Sequence, residues 1–329
     1  MVSIRSASLS LLLSVAALSA AHAVGQESAD QARGWLERSA QALHGLNYRG
    51  TFVYLHDNQL HAQSIVHQVD AGGEFERLLS LTGSAREVLR DDKLVTCILP
   101  ESRSVVIERS QARRSFPLVM PEHIDHLEKY YAFHLGSADR VAGRPVQRVG
   151  IRPLDDLRYG HEFWIDVESG MLLKADLIDE SGHAVEQFMF THIEFFSEMP
   201  GHLLEPEISS DGFTLHRHRE IDTHAPGGGG VWEVAALPDG FTLELQQRKH
   251  ISASPNAVDH LVYSDGLSTL SVFIEPVDGE QPPLRGDSRM GAVNAYSTLF
   301  GDHQITVVGA LPERTVRLVG DGIRPVLSQ

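Results

Sequence analysis

The run Tyr159–Phe196, YGHEFWIDVESGMLLKADLIDESGHAVEQFMFTHIEFF, decides how this chain folds. Three apolar-alternating segments are separated by two copies of one turn tripeptide, Glu168-Ser169-Gly170 and Glu180-Ser181-Gly182. That spacing predicts a three-strand antiparallel meander. In the first segment Phe163, Ile165 and Val167 share one face, while Glu162, Trp164 and Asp166 share the other. The third segment is apolar on both sides: Val185, Met189, Ile193 and Phe195 against Phe188, Phe190 and Phe196. A strand of that kind must be covered on both faces, by a helix, a second sheet or a ligand.

Working outward, the chain before the meander has the same character. Ser28 with Gln31 reads as a capping box opening a helix, whose stripe is Ala32, Trp35, Leu36, Ala40 and Leu43, ended by Gly45. From Asn47 the period changes to two. Short strands are expected at Tyr48–Leu55, Ala62–Val69, Phe75–Leu81, Glu87–Leu89, Leu94–Leu99 and Ser104–Glu108, joined by hairpin-length turns. Glu122–Tyr131 reads as a short helix and Val141–Ile151 as a further strand. With the meander, this gives about ten antiparallel strands and two helices, hence a strongly curved or partly closed sheet.

After the meander, residues 205–230 lapse into Pro, Gly, His and acidic residues and end in Gly227-Gly-Gly-Gly230, which predicts a flexible linker. Beyond it, strands are expected at Phe241–Gln247, His260–Ser264, Thr269–Glu275, Val293–Phe300 and Gln304–Val308, with a closing helix at Pro312–Val319. The chain of 329 residues thus divides into a leader over 1–23, a first domain over 24–204, the linker, and a second domain over 231–329. The leader carries Arg5, an apolar core containing Leu11-Leu12-Leu13, and the A-x-A site Ala21-His22-Ala23, so cleavage is expected between Ala23 and Val24. Val24 stands where a lipoprotein would need cysteine, so a soluble exported protein is expected.

Acidic residues number 44 against 28 basic, a net charge of −16 for the whole chain. That balance excludes nucleic acid as an expected partner. The single Cys97 rules out an internal disulfide and reads as a small buried hydrophobe. No nucleophile elbow, zincin, P-loop or dinucleotide fingerprint is present, so neither catalysis nor a cofactor is expected. His216 and His218 fit one side of a strand, and His123 and His126 one face of a helix, but neither pair has further ligands at a metal-binding interval. The series Arg140, Arg144, Arg148, Arg152 and Arg158 reads either as the rim of a cavity meeting lipid phosphates or as the wet edge of a sheet.

One resemblance is much more specific. Arg49-Gly-Thr-Phe-Val-Tyr54, Ala85-Arg-Glu-Val88, Val141-Ala-Gly-Arg-Pro145, Trp164-Ile-Asp166, Tyr263-Ser-Asp-Gly-Leu267, Ser271-Val-Phe-Ile274, Ile305-Thr-Val-Val-Gly309 and Leu311-Pro312 follow one another as in the MucB/RseB family. Ala310 departs from the acidic residue of that pattern. The resemblance implies an α+β, mostly antiparallel protein: a large unclosed β-barrel similar to lipoprotein carriers, and a smaller mixed domain. It also implies a periplasmic negative regulator of the envelope-stress sigma factor. Such a protein binds the periplasmic part of a single-span anti-sigma factor, protects it from regulated proteolysis, and lets go on taking up a lipid such as lipopolysaccharide.

Under that resemblance, lipid contacts are expected from Phe52, Tyr54, Phe163, Trp164, Phe188 and Phe190, with Arg144 and Arg148 for phosphates. Anti-sigma contacts are expected near Tyr263, Leu267 and Phe273. A homo-oligomer is compatible with the same reading. A periplasmic lipid or lipoprotein carrier is the alternative, though it leaves the second domain without a task, and a hydrolase would need the nucleophile motif that is missing.

Overall fold

The computed structural model describes residues 27–110, 120, 124–217, 232–250, 257–277 and 282–326. The leader with its Ala23-Val24 junction and the tetraglycine therefore lie outside the described residues, as does His123.

The meander folds as its turns dictate. β9 (Gly160–Asp166), β10 (Leu172–Ile178) and β11 (Ala184–Phe196) pair antiparallel in sequence. Gly170 and Gly182 take φ +79° and +82°, a conformation their turns need and side chains resist. Earlier come β1 (Asn47–His56), β2 (Gln59–Asp70), β3 (Gly73–Ser80), β4 (Glu87–Asp91), β5 (Leu94–Leu99) and β6 (Ser104–Arg109), each paired antiparallel with the next. β7 (Tyr131–Val141) and β8 (Arg144–Pro153) precede the meander, and β12 (Thr214–Arg217) follows it. Among the described residues this makes one twelve-stranded sheet, ordered β12-β6-β5-β4-β3-β2-β1-β11-β10-β9-β8-β7. Its two edge strands do not pair, so the barrel is unclosed.

Helix α1 spans 27–45. Its Ala32, Leu36 and Leu43 share one core with Phe52, Phe163, Phe188 and Phe190. Register explains the assembly: Tyr54 faces Phe188, Phe188 faces Ala175, and Ala175 faces Phe163, so these side chains stand on one side of the sheet.

The second domain is a six-stranded antiparallel sheet, β14 (Thr242–His250), β15 (Ala257–Ser264), β16 (Thr269–Pro276), β19 (His303–Gly309), β18 (Val293–Phe300) and β17 (Gly286–Met290) in that spatial order. β13 (Trp232–Val234) pairs with β20 (Ile323–Pro325) beside it. Helix α2 (Glu313–Asp321) buries Val316 and Val319 against Val272, Ile305 and Val307.

Several expectations need correction. The helix expected at Glu122–Tyr131 is, in its described part, a single 3-10 turn at Leu127–Lys129, and Tyr131 already opens β7. Tyr131 and Phe133 alternate into the core, and pairing with β8 outweighs the weak helical spacing. The strand expected at Val141–Ile151 begins with a hairpin instead, because Ala142 and Gly143 take φ +49° and +80°. Ser28 lies inside α1, not at a cap, and its hydroxyl accepts from the Leu135 N–H at 3.2 Å. The stretch expected as linker contains β12, which pairs parallel with β6. Cys97 is half-buried, not sealed in the core.

Candidate functional site

The two sheets meet along a seam built by the turn Tyr263-Ser-Asp-Gly-Leu267. Ser264 Oγ accepts from the Gly266 N–H at 2.9 Å and donates to the Ser268 carbonyl at 3.0 Å. Asp265 Oδ1 accepts from the backbone of Leu267 and Ser268, at 3.0 and 2.7 Å, which fixes the carboxylate. Its other oxygen reaches the first domain. Oδ2 accepts from Arg158 Nη1 at 2.7 Å and from the Tyr131 hydroxyl at 2.7 Å.

Arg158 is the hub of that seam. It also donates to Asp155 and, through Nη2 at 2.6 Å, to the Asp239 carbonyl. Its guanidinium carbon lies 5.2, 5.3 and 5.4 Å from the rings of Tyr130, Tyr131 and Phe241. Burial presses on this cation, and the anionic partners more than offset it, so its pKa stays above the ordinary arginine value. Around it His126 bonds to the Asp265 carbonyl at 2.9 Å, Thr315 to the Leu157 carbonyl at 2.7 Å, and Asn294 to the Tyr159 hydroxyl at 3.1 Å. Leu267 inserts into the core of the first domain.

The aromatic candidates divide by face. Phe52, Phe163, Phe188 and Phe190 are buried under α1, with ring centroids of Phe52 and Phe188 4.9 Å apart. Trp164 points to the opposite side, where Lys174 Nζ and the Arg148 guanidinium carbon lie 3.9 and 5.3 Å from its ring. Tyr54 is half-buried and lines a cavity of about 500 Å³ with His56, His61, Arg86, Leu99 and Glu101.

The two arginine candidates hold carboxylates of their own chain. Arg144 clasps Asp166 through Nε and Nη2 at 2.7 and 3.2 Å and Glu168 at 2.9 Å. Arg148 meets Glu162 at 3.4 Å. Of the partner candidates, Tyr263 is buried in the second core and Phe273 is half-buried, its ring stacked on His260 at 4.4 Å. The sequence picked out Arg158 only as one of a series and Asp265 only inside the Tyr263–Leu267 run; nothing local signals that they meet.

The MucB/RseB N-terminal domain model matches residues 31–208 and the MucB/RseB C-terminal domain model matches 228–324. The chain belongs to the MucB/RseB family. Among curated relatives, the sigma factor AlgU regulatory protein MucB of Pseudomonas aeruginosa is 33% identical, over 96% of this chain and 97% of its own. The sigma-E factor regulatory protein RseB of Haemophilus influenzae is 29% identical, over 95% and 94%. Among solved structures, the Pseudomonas aeruginosa MucA/MucB complex superposes with a TM-score of 0.72 at 29% identity, covering 91% of this chain and all of that one. A crystal structure of MucB gives 0.63 at 29% identity, covering 90% and 98%. The motifs of the MucB/RseB family thus fall at structural junctions here: Gly50 under Phe190, Ala142-Gly143 in the β7–β8 turn, and Ser264–Leu267 at the seam.

Proposed function

We infer that this chain is a periplasmic negative regulator of an envelope-stress sigma factor. It would bind the periplasmic region of a transmembrane anti-sigma factor, shield it from proteolysis, and act without catalysis. The observation that carries this reading is the match through both domains to MucB bound to MucA, at TM-scores of 0.72 and 0.71.

Lipid-triggered release extends the proposal. The inner aromatics are covered by α1, so an acyl chain would enter beside Tyr54, at the cavity that already exists. Each buried methylene contributes about 0.8 kcal/mol, so a few suffice to shift an equilibrium of a few kcal/mol. If lipid and anti-sigma segment favour different domain arrangements, each weakens the other by the same coupling free energy. The leader, the split at 205–230 and the contacts of Phe273 belong to this reading as well.

The test is a retention and protection assay. The mature protein should hold a single-span anti-sigma protein from envelope extract and slow cleavage of its periplasmic region. Added lipopolysaccharide should reverse both effects. An unchanged cleavage rate with and without the protein would remove the regulator reading; retention of lipid alone would favour a carrier.

A further inference from the structure

Among the described residues, one set of metal-capable side chains converges: His67 with Glu74 and Glu76, whose ligand atoms all lie within 4.8 Å of one another. The convergence follows from strand register. His67 on β2 stands opposite Glu76 on β3, and Glu74 lies two residues before Glu76, so all three project from one face. The last turn of α1 places His44 at the rim of this set, its Nδ1 3.6 Å from Glu74 Oε1.

The tautomer of His67 is fixed. Its Nδ1 lies 2.7 Å from the Leu46 carbonyl, which can only accept, so Nδ1 carries the proton. Nε2 then turns toward Glu74 Oε1 at 2.9 Å. A backbone carbonyl holding the far nitrogen is the usual support of a metal-binding imidazole. The ring is further held by Tyr48, stacked at 5.0 Å and 21°.

We propose that His67, Glu74 and Glu76 form a binding site for one zinc-class divalent cation that ties β2 to β3 beside the end of α1, with solvent as fourth ligand. A four-coordinate ion with ligands at 2.0–2.1 Å separates neighbouring ligand atoms by about 3.3 Å. His67 Nε2 and Glu74 Oε1 stand 2.9 Å apart and the three ligand atoms lie within 4.8 Å of one another, a spread that includes that value. Two carboxylates cancel the charge of the ion, and the mixed nitrogen and oxygen set suits zinc rather than calcium or magnesium. His67 and Glu76 are buried while Glu74 and His44 are half-exposed, which leaves a way in. Arg90 Nη1 lies 3.6 Å from Glu76 Oε2, so Glu76 would ligate through its other oxygen. The competing description is an ion pair of protonated His67 with Glu74, beside a Glu76 whose pKa burial raises.

The experiment uses untagged, chelator-stripped mature protein titrated with zinc chloride, read by calorimetry and by metal content after dialysis. One zinc per chain is expected, together with a higher Tm. Cobalt chloride should give the visible bands of a four-coordinate ion. Glu74→Gln, a change at a half-exposed position, should weaken zinc affinity roughly tenfold or more. His67→Gln should do the same if it folds, while a His216→Ala, His218→Ala variant should bind as the parent does. No stoichiometric uptake, or uptake unchanged by Glu74→Gln, overturns the site and leaves the ion pair as its description.

Discussion

Arg158 and Asp265 meet at 2.7 Å across the junction of the two domains, and both side chains are wholly enclosed. Each domain thereby contributes one half of an ion pair that neither could bury alone. Removing one partner leaves the other charged, desolvated and uncompensated, which costs about 3–5 kcal/mol.

Arg158→Ala or Asp265→Asn should therefore separate the domains without unfolding them. Calorimetry should show one cooperative transition in the parent and two in the variant, and X-ray scattering a larger radius of gyration. A single transition and an unchanged radius would mean that Leu267 and the flanking hydrogen bonds suffice.

The seam also carries an acid-sensitive element. His161 Nε2 is shut from solvent with no hydrogen-bond partner among the described residues, and burial pulls its pKa down to about 4, with the nearby Asp265 carboxylate pulling the other way. Below pH 6.5 the unfolded chain takes up a proton that the folded chain refuses. Stability should fall as the pH drops from 6.5 to 4 and then level off, by up to about 3 kcal/mol. His161→Gln should flatten that part of the profile, and an NMR titration of the ring should show the low midpoint directly.

Gly50 packs where no side chain fits. A Cβ there would sit 2.7 Å from the His192 carbonyl oxygen and from the Phe190 ring. Gly50→Ala should cost about 1–3 kcal/mol by overpacking. Urea unfolding should show a lower midpoint with an unchanged slope.

A fourth prediction concerns the chain's return across the first sheet. Buried Glu87 accepts from Arg77 at 3.2 Å and from the backbone N–H groups of Glu207 and Ile208 at 3.0 and 2.9 Å. Glu87→Ala leaves Arg77 with Glu207 as its carboxylate, at 2.9 Å, and removes the acceptor of the Glu207 and Ile208 amides, which frees that segment. Limited proteolysis should gain a site between 205 and 217, with a stability loss of about 1–3 kcal/mol.

Sequence reading reached what is local. The meander was legible because alternation and two glycine turns lie within forty residues of each other. Helix α2 was legible because Pro312 marks its start and Val316 and Val319 its buried face. Strand β7 was not, since the residues before Tyr131 suit a helix equally well and only pairing with β8 decides. The aromatic candidates were found, but their faces depend on register, which set Trp164 apart from Phe163. Arg158 and Asp265 are 107 residues apart, and no pattern along the chain joins them. His67 and Glu76 are likewise neighbours only once β2 and β3 align.

Strand β12 has an implication for assembly. It lays Thr214–Arg217 alongside Ser104–Ile107 and so covers the outermost backbone of β6. A fragment halted before Thr214 would leave those amides and carbonyls bare, a template on which a neighbouring molecule could add its own strand. The first half of this protein thus stays sticky until the segment leading to the second half has been threaded back over it.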